Sequence, residues 1–483
     1  MKKVILVVVV AILAISFSQK KAVPADMAIT HVTLIDGTGT KAQHDMAVLI
    51  TKDAITAIKS SKGLTIAPGT KVIDGTGKFL IPGLWDMHVH FSADSNFCAL
   101  AIANGVTSVR DMFSNRESFG YQVDFRKKVN ENRIIGPHMY IPLAVMGPDQ
   151  NWFSSIKISS QQQAIDFVRE VKDRGADFIK VFDLFDPDVF MTLLKEAKKN
   201  GIRVAGHVPL SVNAADAAEA GLGTIEHAYE ILLATSSNET ELRNNMLKEA
   251  EAVHTSFPDL SRLLFFVQSK DLLPTYDAAK ASQLFKRLKE SGSYQCPTLA
   301  VFEGKLKAIN SDNSIDERKI YVTKECLQSW TNLKENQFSA ALTTADFDKI
   351  RPLFKKRFDL VNEFNKHNIP ILAGTDVGSG CSQHYLVPGF SLHDELMLLT
   401  QAGLSPMEAL QAATQNGAKA LGVINKTGTI ELGKMADMVL LDANPLENIN
   451  NTRKINAVVK AGRYFSREDL NQLLSMVEKR VKP

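Results

Sequence analysis

Residues 80–90 read Leu80-Ile81-Pro82-Gly83-Leu84-Trp85-Asp86-Met87-His88-Val89-His90, and this stretch is the starting point for predicting the fold. The apolar residues on either side of the Pro-Gly pair are typical of a buried strand, which ends at the two histidines. Side chains at positions i and i+2 of a strand point to the same side. His88 and His90 can therefore bind one metal ion, although a His-x-His pair alone is equally compatible with two structural histidines.

Three later apolar segments also end at a potential metal ligand. His207 closes one of them, His227 closes the next, and Asp376 closes a third, far along the chain. In a TIM-type barrel the carboxyl ends of all strands meet at one mouth. Imidazole and carboxylate groups from several strand ends therefore predict a metal site at that mouth.

The segment between residues 81 and 422 alternates strand-like and helix-like patterns, as an α/β fold requires. We predict a TIM-type (β/α)8 barrel over this range. A capping box of Ser405 and Glu408 around Pro406 predicts a helix after the eighth strand. The candidate strands are residues 83–87, 106–111, 138–142, 178–181, 203–205, 224–226, 298–301 and 369–373.

Both chain ends have a different pattern, with short β-like stretches separated by glycine-marked turns. Residues 27–80 and 423–465 are predicted to form one small β-sandwich-like domain together. The interval between His227 and Asp376 is longer than two βα units need. We therefore expect insertions around residues 239–290 and 305–366, near the mouth of the barrel, where they would influence substrate choice.

Residues 1–18 have the features of a signal peptide. Lys2 and Lys3 precede an apolar run, which closes with the small-x-small pattern Ser16-Phe17-Ser18. The run is short for a transmembrane span, so no stable membrane anchor is expected, and an uncleaved anchor is the alternative. The prediction is an exported protein, periplasmic or secreted.

The composition narrows the class of protein. The chain has 483 residues, 45% of them hydrophobic, with 56 Lys plus Arg against 53 Asp plus Glu. This excludes a disordered chain, and the absence of like-charge blocks argues against a nucleic-acid partner. The spacing of the four cysteines matches no zinc motif, and whether any two of them pair is left open.

Lys180 lies within the apolar strand-like segment Asp177-Phe178-Ile179-Lys180-Val181-Phe182. A buried ammonium group is costly unless it is paired, so one explanation is a buried salt bridge. The other is a lysine carboxylated by carbon dioxide, which becomes an anionic ligand able to bridge two metal ions. Burial favours the neutral amine that this modification needs.

The chain resembles the amidohydrolase superfamily, in particular its imidazolonepropionase-like branch, which includes metal-dependent dipeptidases of the prolidase kind. The resemblance covers nearly all of the chain after the signal sequence. It is carried by Ile35-Asp36-Gly37, by Ile81-Pro82-Gly83-Leu84 before the histidine pair, and by the terminal motifs Gly433-Lys434-Met435-Ala436-Asp437-Met438-Val439 and Asn444-Pro445-Leu446.

This resemblance implies a site with two divalent metal ions, for which zinc suits the ligands and manganese or cobalt are alternatives. It also implies that Asp376 transfers a proton from water to the departing amine. His138 and Tyr229 resemble positions that contact the substrate, and each could instead be a structural polar group. The implied ligands are His88, His90 and Asp376 for one ion, His207 and His227 for the other, and carboxylated Lys180 as the bridge.

The predicted function is that of an exported binuclear amidohydrolase, which cleaves an amide bond in a dipeptide or an N-acyl amino acid. One alternative is a mononuclear cyclic-amide hydrolase or deaminase, and Lys180 distinguishes it because the resemblance implies that those branches lack the bridging lysine. The other alternative is a catalytically silent binding protein, which the complete set of expected ligand types disfavours. The expected partner is a small amide or peptide, and a homo-oligomer is possible.

Overall fold

The structure is a computed structural model that describes residues 22–148, 155–252, 272–309, 317–331, 344–379 and 385–482. The predicted signal peptide, residues 1–18, lies outside these ranges. Within them, no helix combines the length and the apolar character that a membrane span requires.

Eighteen strands are assigned in the described part of the chain. They are β1 Met27–Leu34, β2 Gln43–Thr51, β3 Ala54–Ser60, β4 Lys71–Asp74, β5 Phe79–Pro82, β6 Leu84–His90, β7 Val106–Asp111, β8 His138–Tyr140, β9 Pro142–Met146, β10 Ile156–Lys157, β11 Phe178–Val181, β12 Val204–Gly206, β13 Leu222–Glu226, β14 Tyr294–Cys296, β15 Val377–Gly378, β16 Met438–Leu441, β17 Ile455–Lys460 and β18 Arg463–Ser466.

Helices follow most strands of the central region, and others lie within the predicted insertions. The α-helices are Ser95–Ala103, Arg116–Asn130, Gln161–Arg174, Pro187–Lys199, Ala214–Ala220, Tyr229–Ala234, Glu239–Ala252, Ala278–Ser291, Leu299–Ile309, Lys324–Thr331, Thr344–Lys366, Phe390–Gln401, Pro406–Ala412, Gln415–Ala420 and Arg467–Val481. Short 3-10 helices span Glu317–Tyr321 and Ile449–Arg453.

Two parallel sheets make up the α/β region. One has the order β10-β9-β11-β12-β13-β14, and the other has the order β15-β6-β7-β8. Only Ile141 separates β8 from β9 along the chain, so these two strands link the sheets on one side. All strands in each sheet run the same way, which brings their carboxyl ends to a common edge.

Residues 369–373 link the two sheets on the other side. The amide of Gln295 in β14 donates to the carbonyl of Pro370 at 2.9 Å, and the amide of Met87 in β6 donates to the carbonyl of Ala373 at 2.9 Å. Gly374 permits this close approach, because a Cβ there would lie 2.8 Å from the Cβ of His88. The stretch predicted as the eighth strand therefore lies between β14 and β6, although it forms an isolated bridge at Ile371 instead of a ladder.

The prediction of a strand at residues 298–301 is wrong. The strand in this part of the chain is β14, Tyr294–Cys296, and the apolar residues after it begin the helix Leu299–Ile309. Thr298 has a left-handed backbone, with φ 49°, which turns the chain between the two elements. A short apolar run does not distinguish a buried strand from a buried helix, and this ambiguity caused the error.

Strands from both chain ends pair in a third sheet. Its order is β18-β17-β16-β5-β1-β2-β3, with β4 paired to β1. The junction between the two ends is the antiparallel pairing of β16 with β5, in which Leu440 lies opposite Leu80. The last helix, Arg467–Val481, reaches back to the α/β region, where the Arg480 guanidinium donates to Ser95 Oγ at 3.3 Å.

The predicted capping box after residues 369–373 is confirmed. The Ser405 hydroxyl accepts from the amide of Glu408, whose carboxylate accepts in return from the amide of Ser405 at 2.7 Å. Replacing Ser405 with alanine leaves the Glu408 amide without its hydroxyl acceptor, and it should lower the free energy of unfolding by about 1 kcal/mol. Urea denaturation of the two proteins measures this difference, and an unchanged midpoint would contradict it.

Among the described cysteines, Cys98 and Cys296 are free and buried, whereas Cys326 is disulfide-bonded. Cys381 lies outside the described residues. Burial raises the pKa of the Cys98 and Cys296 thiols, so both behave as core residues.

Candidate active site

Two strand ends bring the first three candidate ligands together. His88 and His90 are on β6, and the short strand β15, which pairs with the end of β6, begins directly after Asp376. The Asp376 Oδ1 atom lies 3.0 Å from His90 Nε2 and 3.4 Å from His88 Nε2. The His-x-His pair and the distant aspartate therefore form one cluster.

His227 and His207 extend this cluster across the strand ends. The His88 and His227 rings lie 4.6 Å apart between centroids, and the His227 and His207 rings lie 5.0 Å apart. Each histidine follows the last residue of its strand, β12 for His207 and β13 for His227. The structure thus places all four predicted histidines in one continuous row, with only His90 substantially exposed, at 33%.

The backbone at two of these residues has an unusual conformation. Asp376 and His227 have φ values of 63° and 64°, in the left-handed region that non-glycine residues rarely occupy. Neighbouring strands hold both in place: the Asp376 amide donates to the His88 carbonyl, and the His227 amide donates to the Cys296 carbonyl, each at 2.8 Å. Strained backbone of this kind is concentrated at functional sites, where it fixes the direction of a side chain.

The Nδ1 atoms of three histidines have polar partners. His88 Nδ1 lies 2.8 Å from Glu226 Oε2, His207 Nδ1 lies 2.6 Å from Asp183 Oδ1, and His227 Nδ1 lies 2.8 Å from Thr298 Oγ1. Partners at Nδ1 fix the ring orientation and direct Nε2 at a metal.

Several of the supporting residues were missed in the sequence analysis. Arg110 on β7 donates to Glu226 Oε1 at 2.7 Å and to the carbonyl of Met87 at 2.6 Å. It therefore connects β7 to β13, which precedes His227, and to β6, which carries His88. Asp86 accepts from the Thr375 amide at 3.0 Å and so fixes the residue before Asp376. Charged residues within apolar strands were the available signal, and the same reasoning that singled out Lys180 applies to both.

Lys180 lies on β11 in the interior, fully buried, with its Nζ lacking a hydrogen-bond partner. Burial lowers the pKa of Lys180 to about 8, although the nearby carboxylates of Glu226, Asp183 and Asp376 act to raise it. Lys180 therefore forms no ion pair in the described structure, although a buried ion pair was one of the two explanations for its position. An amine with a lowered pKa has a larger neutral fraction near neutral pH, which suits reaction with carbon dioxide.

The electrostatics favour neutral imidazoles and an ionised carboxylate. Burial lowers the pKa of His88 to about 4 and also lowers the pKa values of His207 and His227. Burial acts to raise the pKa of Asp376, but its interactions with His88 and His90, including a hydrogen bond from His90, and the nearby Lys305 ammonium hold the pKa below its usual value. Neutral imidazole and carboxylate are the protonation states that bind divalent cations.

Two observations show that the clustered histidines and Asp376 are suited to bind a metal ion. His88, His227 and Asp376 each offer a ligand atom, and these atoms lie within 4.8 Å of one another. The buried Nε2 atom of His88 has no hydrogen-bond partner, which is costly for a polar atom unless something else binds there.

The two predicted substrate contacts are placed differently. His138 is the first residue of β8, at its amino end, where Nε2 lies 3.2 Å from Asp437 Oδ2 of the residue preceding β16. The structure therefore does not bring His138 to the cluster at the carboxyl ends, and it gives this histidine an ion-pair partner at the terminal sheet. Tyr229 begins the helix after His227, and its side chain lies outside the described part of the structure.

The model of the amidohydrolase family matches residues 79–464, and the chain belongs to this family. It is a hydrolase that acts on carbon–nitrogen bonds. Ochratoxinase from Aspergillus niger is 22% identical over 501 residues, covering 89% of this chain and 85% of the relative. An imidazolonepropionase from Pseudomonas savastanoi pv. phaseolicola is 44% identical over 78 residues, which are 16% of this chain and 18% of the relative.

Solved structures share the fold. A Xaa-Pro dipeptidase with bound methionine in its active site matches with a TM-score of 0.61 and 18% identity, covering 91% of this chain and 99% of that structure. This likeness covers both the α/β region and the strands from the chain ends. It agrees with the predicted resemblance to the imidazolonepropionase-like and prolidase-like amidohydrolases.

The partner of His207 provides a test of how the site is supported. Replacing Asp183 with asparagine removes the charge that stabilises the His207 ring, and it should weaken metal binding about tenfold. Competition with a chelator of known affinity measures this effect. Asp177→Asn is the matched control, because Asp177 pairs with Arg126 instead of a histidine. Equal metal affinity in wild type and Asp183→Asn would contradict the proposed support.

Proposed function

We propose that this protein is an exported, binuclear metal-dependent amidohydrolase that cleaves an amide bond in a dipeptide or an N-acyl amino acid. The observation that carries the proposal is Lys180, whose buried amine has no hydrogen-bond partner and is close enough to Asp376, His207 and His227 to interact with them electrostatically. Reaction of the neutral amine with carbon dioxide forms a carbamate and releases one proton. The carbamate would replace a costly buried cation by an anionic ligand.

The proposed ligand set uses all of the predicted positions. His88, His90 and Asp376 would hold one ion, His207 and His227 would hold the other, and carboxylated Lys180 would bridge them. Imidazole and oxygen ligands suit zinc. The short distances of Asp376 from His88 and His90, and the shared row of rings, support this division.

When bound, two divalent ions would lower the pKa of water and polarise the scissile carbonyl. Asp376 would accept the proton of the attacking water and then donate it to the departing amine nitrogen. The carboxylate is available to accept a proton because its lowered pKa keeps it ionised, and the hydrogen bond from its backbone amide to the His88 carbonyl fixes its position.

The fold that we propose for this site is a closed (β/α)8 barrel with a separate domain formed by the two chain ends. The hydrogen bonds of residues 369–373 with β14 and β6 support the closure, as does the single residue between β8 and β9. The sheet that joins β5 to β16 supports the terminal domain.

Export is supported by two observations. Residues 1–18 have the pattern of a signal peptide. The disulfide at Cys326 is the kind of bond that persists outside the reducing cytosol.

The test is a panel of dipeptides and N-acyl amino acids, assayed with added zinc, together with metal analysis of the active protein. We expect turnover of at least one class of substrate and two ions per chain. One ion per chain with unmodified Lys180 would favour a mononuclear cyclic-amide hydrolase or deaminase. The local similarity to imidazolonepropionase supports this alternative. The absence of turnover in the whole panel would contradict the proposal.

A further inference from the structure

The hydrogen bond that supports His227 comes from the residue before the helix Leu299–Ile309. This residue is Thr298, which is fully buried, and its Oγ1 atom lies 2.8 Å from His227 Nδ1. A threonine before a helix commonly uses its hydroxyl to accept from an amide of the first turn. In the described structure the Thr298 hydroxyl bonds to His227 instead. The amides at the start of the helix therefore need another acceptor.

Glu395 supplies this acceptor from the helix Phe390–Gln401. Its side chain is fully buried, and its Oε2 atom accepts from the Ala300 amide at 2.7 Å. The same carboxyl group accepts from the Leu299 amide. These amides belong to the first two residues of the helix that follows Thr298. Glu395 therefore caps that helix from a neighbouring one, which leaves the Thr298 hydroxyl to the histidine.

The Glu395 carboxyl group is costly to bury. Its Oε1 atom has no hydrogen-bond partner among the described residues. Burial raises the pKa of Glu395 to about 8, although the amides of Ala300 and Leu299 act to lower it. The group is therefore largely uncharged near neutral pH, and a glutamine would offer the helix the same carbonyl acceptor. A polar group that is kept in the core at this cost indicates a role beyond filling space.

The backbone makes the position of Thr298 depend on its surroundings. Thr298 and His227 both have left-handed backbone, with φ values of 49° and 64°. Such conformations persist where neighbouring structure holds them. The His227 amide donates to the Cys296 carbonyl at 2.8 Å, two residues before Thr298. Thr298 thus lies between this bond and the capped start of the helix, and a shift of the helix would move its hydroxyl relative to the His227 ring.

We propose that Glu395 is a positioning residue for His227, on which it acts through the start of the helix and Thr298. A partner at Nδ1 fixes an imidazole ring so that its Nε2 atom is directed at a metal ion. Without Glu395, the unpaired helix amides would compete with His227 for the Thr298 hydroxyl. The inference rests on the proposed function in assigning an ion to His227, and it adds a residue that sets the affinity for this ion.

The experiment is a double-mutant cycle on zinc affinity, measured by competition with a chelator. Thr298→Val removes the hydroxyl and should weaken binding of the ion at His227 about tenfold. Glu395→Met removes the helix acceptor and should weaken binding of the same ion about three- to tenfold. Because both changes act on one contact, the double variant should match Thr298→Val to within about twofold, whereas independent effects would multiply.

The conservative variant Glu395→Gln keeps an acceptor for the helix amides, so its zinc affinity should stay within about twofold of the wild type. Asp394→Asn is the matched control, because Asp394 is the neighbouring residue on the same helix and pairs with Arg453 at 2.8 Å. It should leave zinc binding unchanged. Circular dichroism and thermal melting check that each variant is folded.

The outcomes separate this inference from the proposed function. Multiplying effects of Glu395→Met and Thr298→Val would overturn the inference, as would an unchanged affinity in Glu395→Met or an equal loss in Glu395→Gln. A wild type that binds one ion, or that hydrolyses no amide, would contradict the proposed function, while the cycle would still be measured on the single ion. A wild type that binds no zinc would contradict both.

Discussion

Replacing Asp376 with asparagine is expected to lower kcat about a thousandfold while metal remains bound. Asparagine has nearly the same shape but cannot accept the proton of the attacking water or return it to the amine, and general acid–base catalysis contributes about 10² to 10⁴ in rate. His88 and His90 remain to bind the ion on that side. Steady-state kinetics and metal analysis of the same preparation test both parts of this expectation.

Asp442→Asn is a suitable control for the aspartate substitution. Asp442 pairs with Lys78 at 2.7 Å at the terminal sheet, so its loss should leave kcat unchanged. If Asp376→Asn kept wild-type activity, the proposed proton transfer would be wrong. If the variant lost activity and metal together, Asp376 would act mainly as a metal ligand. A lower kcat with unchanged metal content would exclude this explanation.

Replacing Lys180 with alanine is expected to remove the bridge between the ions and to lower kcat/KM by about a thousandfold, which corresponds to about 4 kcal/mol of transition-state stabilisation. Acetate or propionate should restore part of the activity, because a small carboxylate can enter the space left by the side chain. A purely structural lysine would show no such rescue.

Two further measurements distinguish a carbamate from an unmodified, buried amine at Lys180. Protein prepared with ¹³C-labelled bicarbonate should give a carbamate carbon resonance in the wild type that Lys180→Ala lacks. Lys180→Arg retains the positive charge but cannot be carboxylated, so its activity should be as low as that of the alanine variant. An active arginine variant, together with a wild type that gives no carbamate signal, would show that Lys180 acts as an unmodified cation.

The candidate ligands could be predicted from sequence because each has a chemically distinctive side chain at the end of an apolar segment. His88, His207, His227 and Asp376 are brought together by the parallel strands, as the barrel argument requires. His138 shows the limit of this reasoning. It begins the strand predicted at residues 138–142, so the strand pattern already placed it at the amino end, and only the family resemblance pointed to a substrate contact.

The residues that support the ligands were harder to predict, since their partners are distant in sequence. Glu226 lies beside His227 along the chain yet contacts His88 on another strand. Thr298 was assigned to a strand, whereas its left-handed backbone and its hydrogen bond to His227 depend on the packing of the following helix. Arg357 reaches the His227 carbonyl from the helix Thr344–Lys366, whose path the sequence pattern does not define.

The pairing of β5 with β16 has a consequence for how the chain folds. These strands are separated by most of the given sequence, so the edge of β5 that faces away from β1 has no partner until residues 438–441 have been synthesised. Sequence-distant contacts of this kind raise the contact order and slow folding. An unpaired strand edge is prone to pair with other chains. A nascent chain that lacks β16 is therefore expected to need protection from association until residues 438–441 are available to pair with β5.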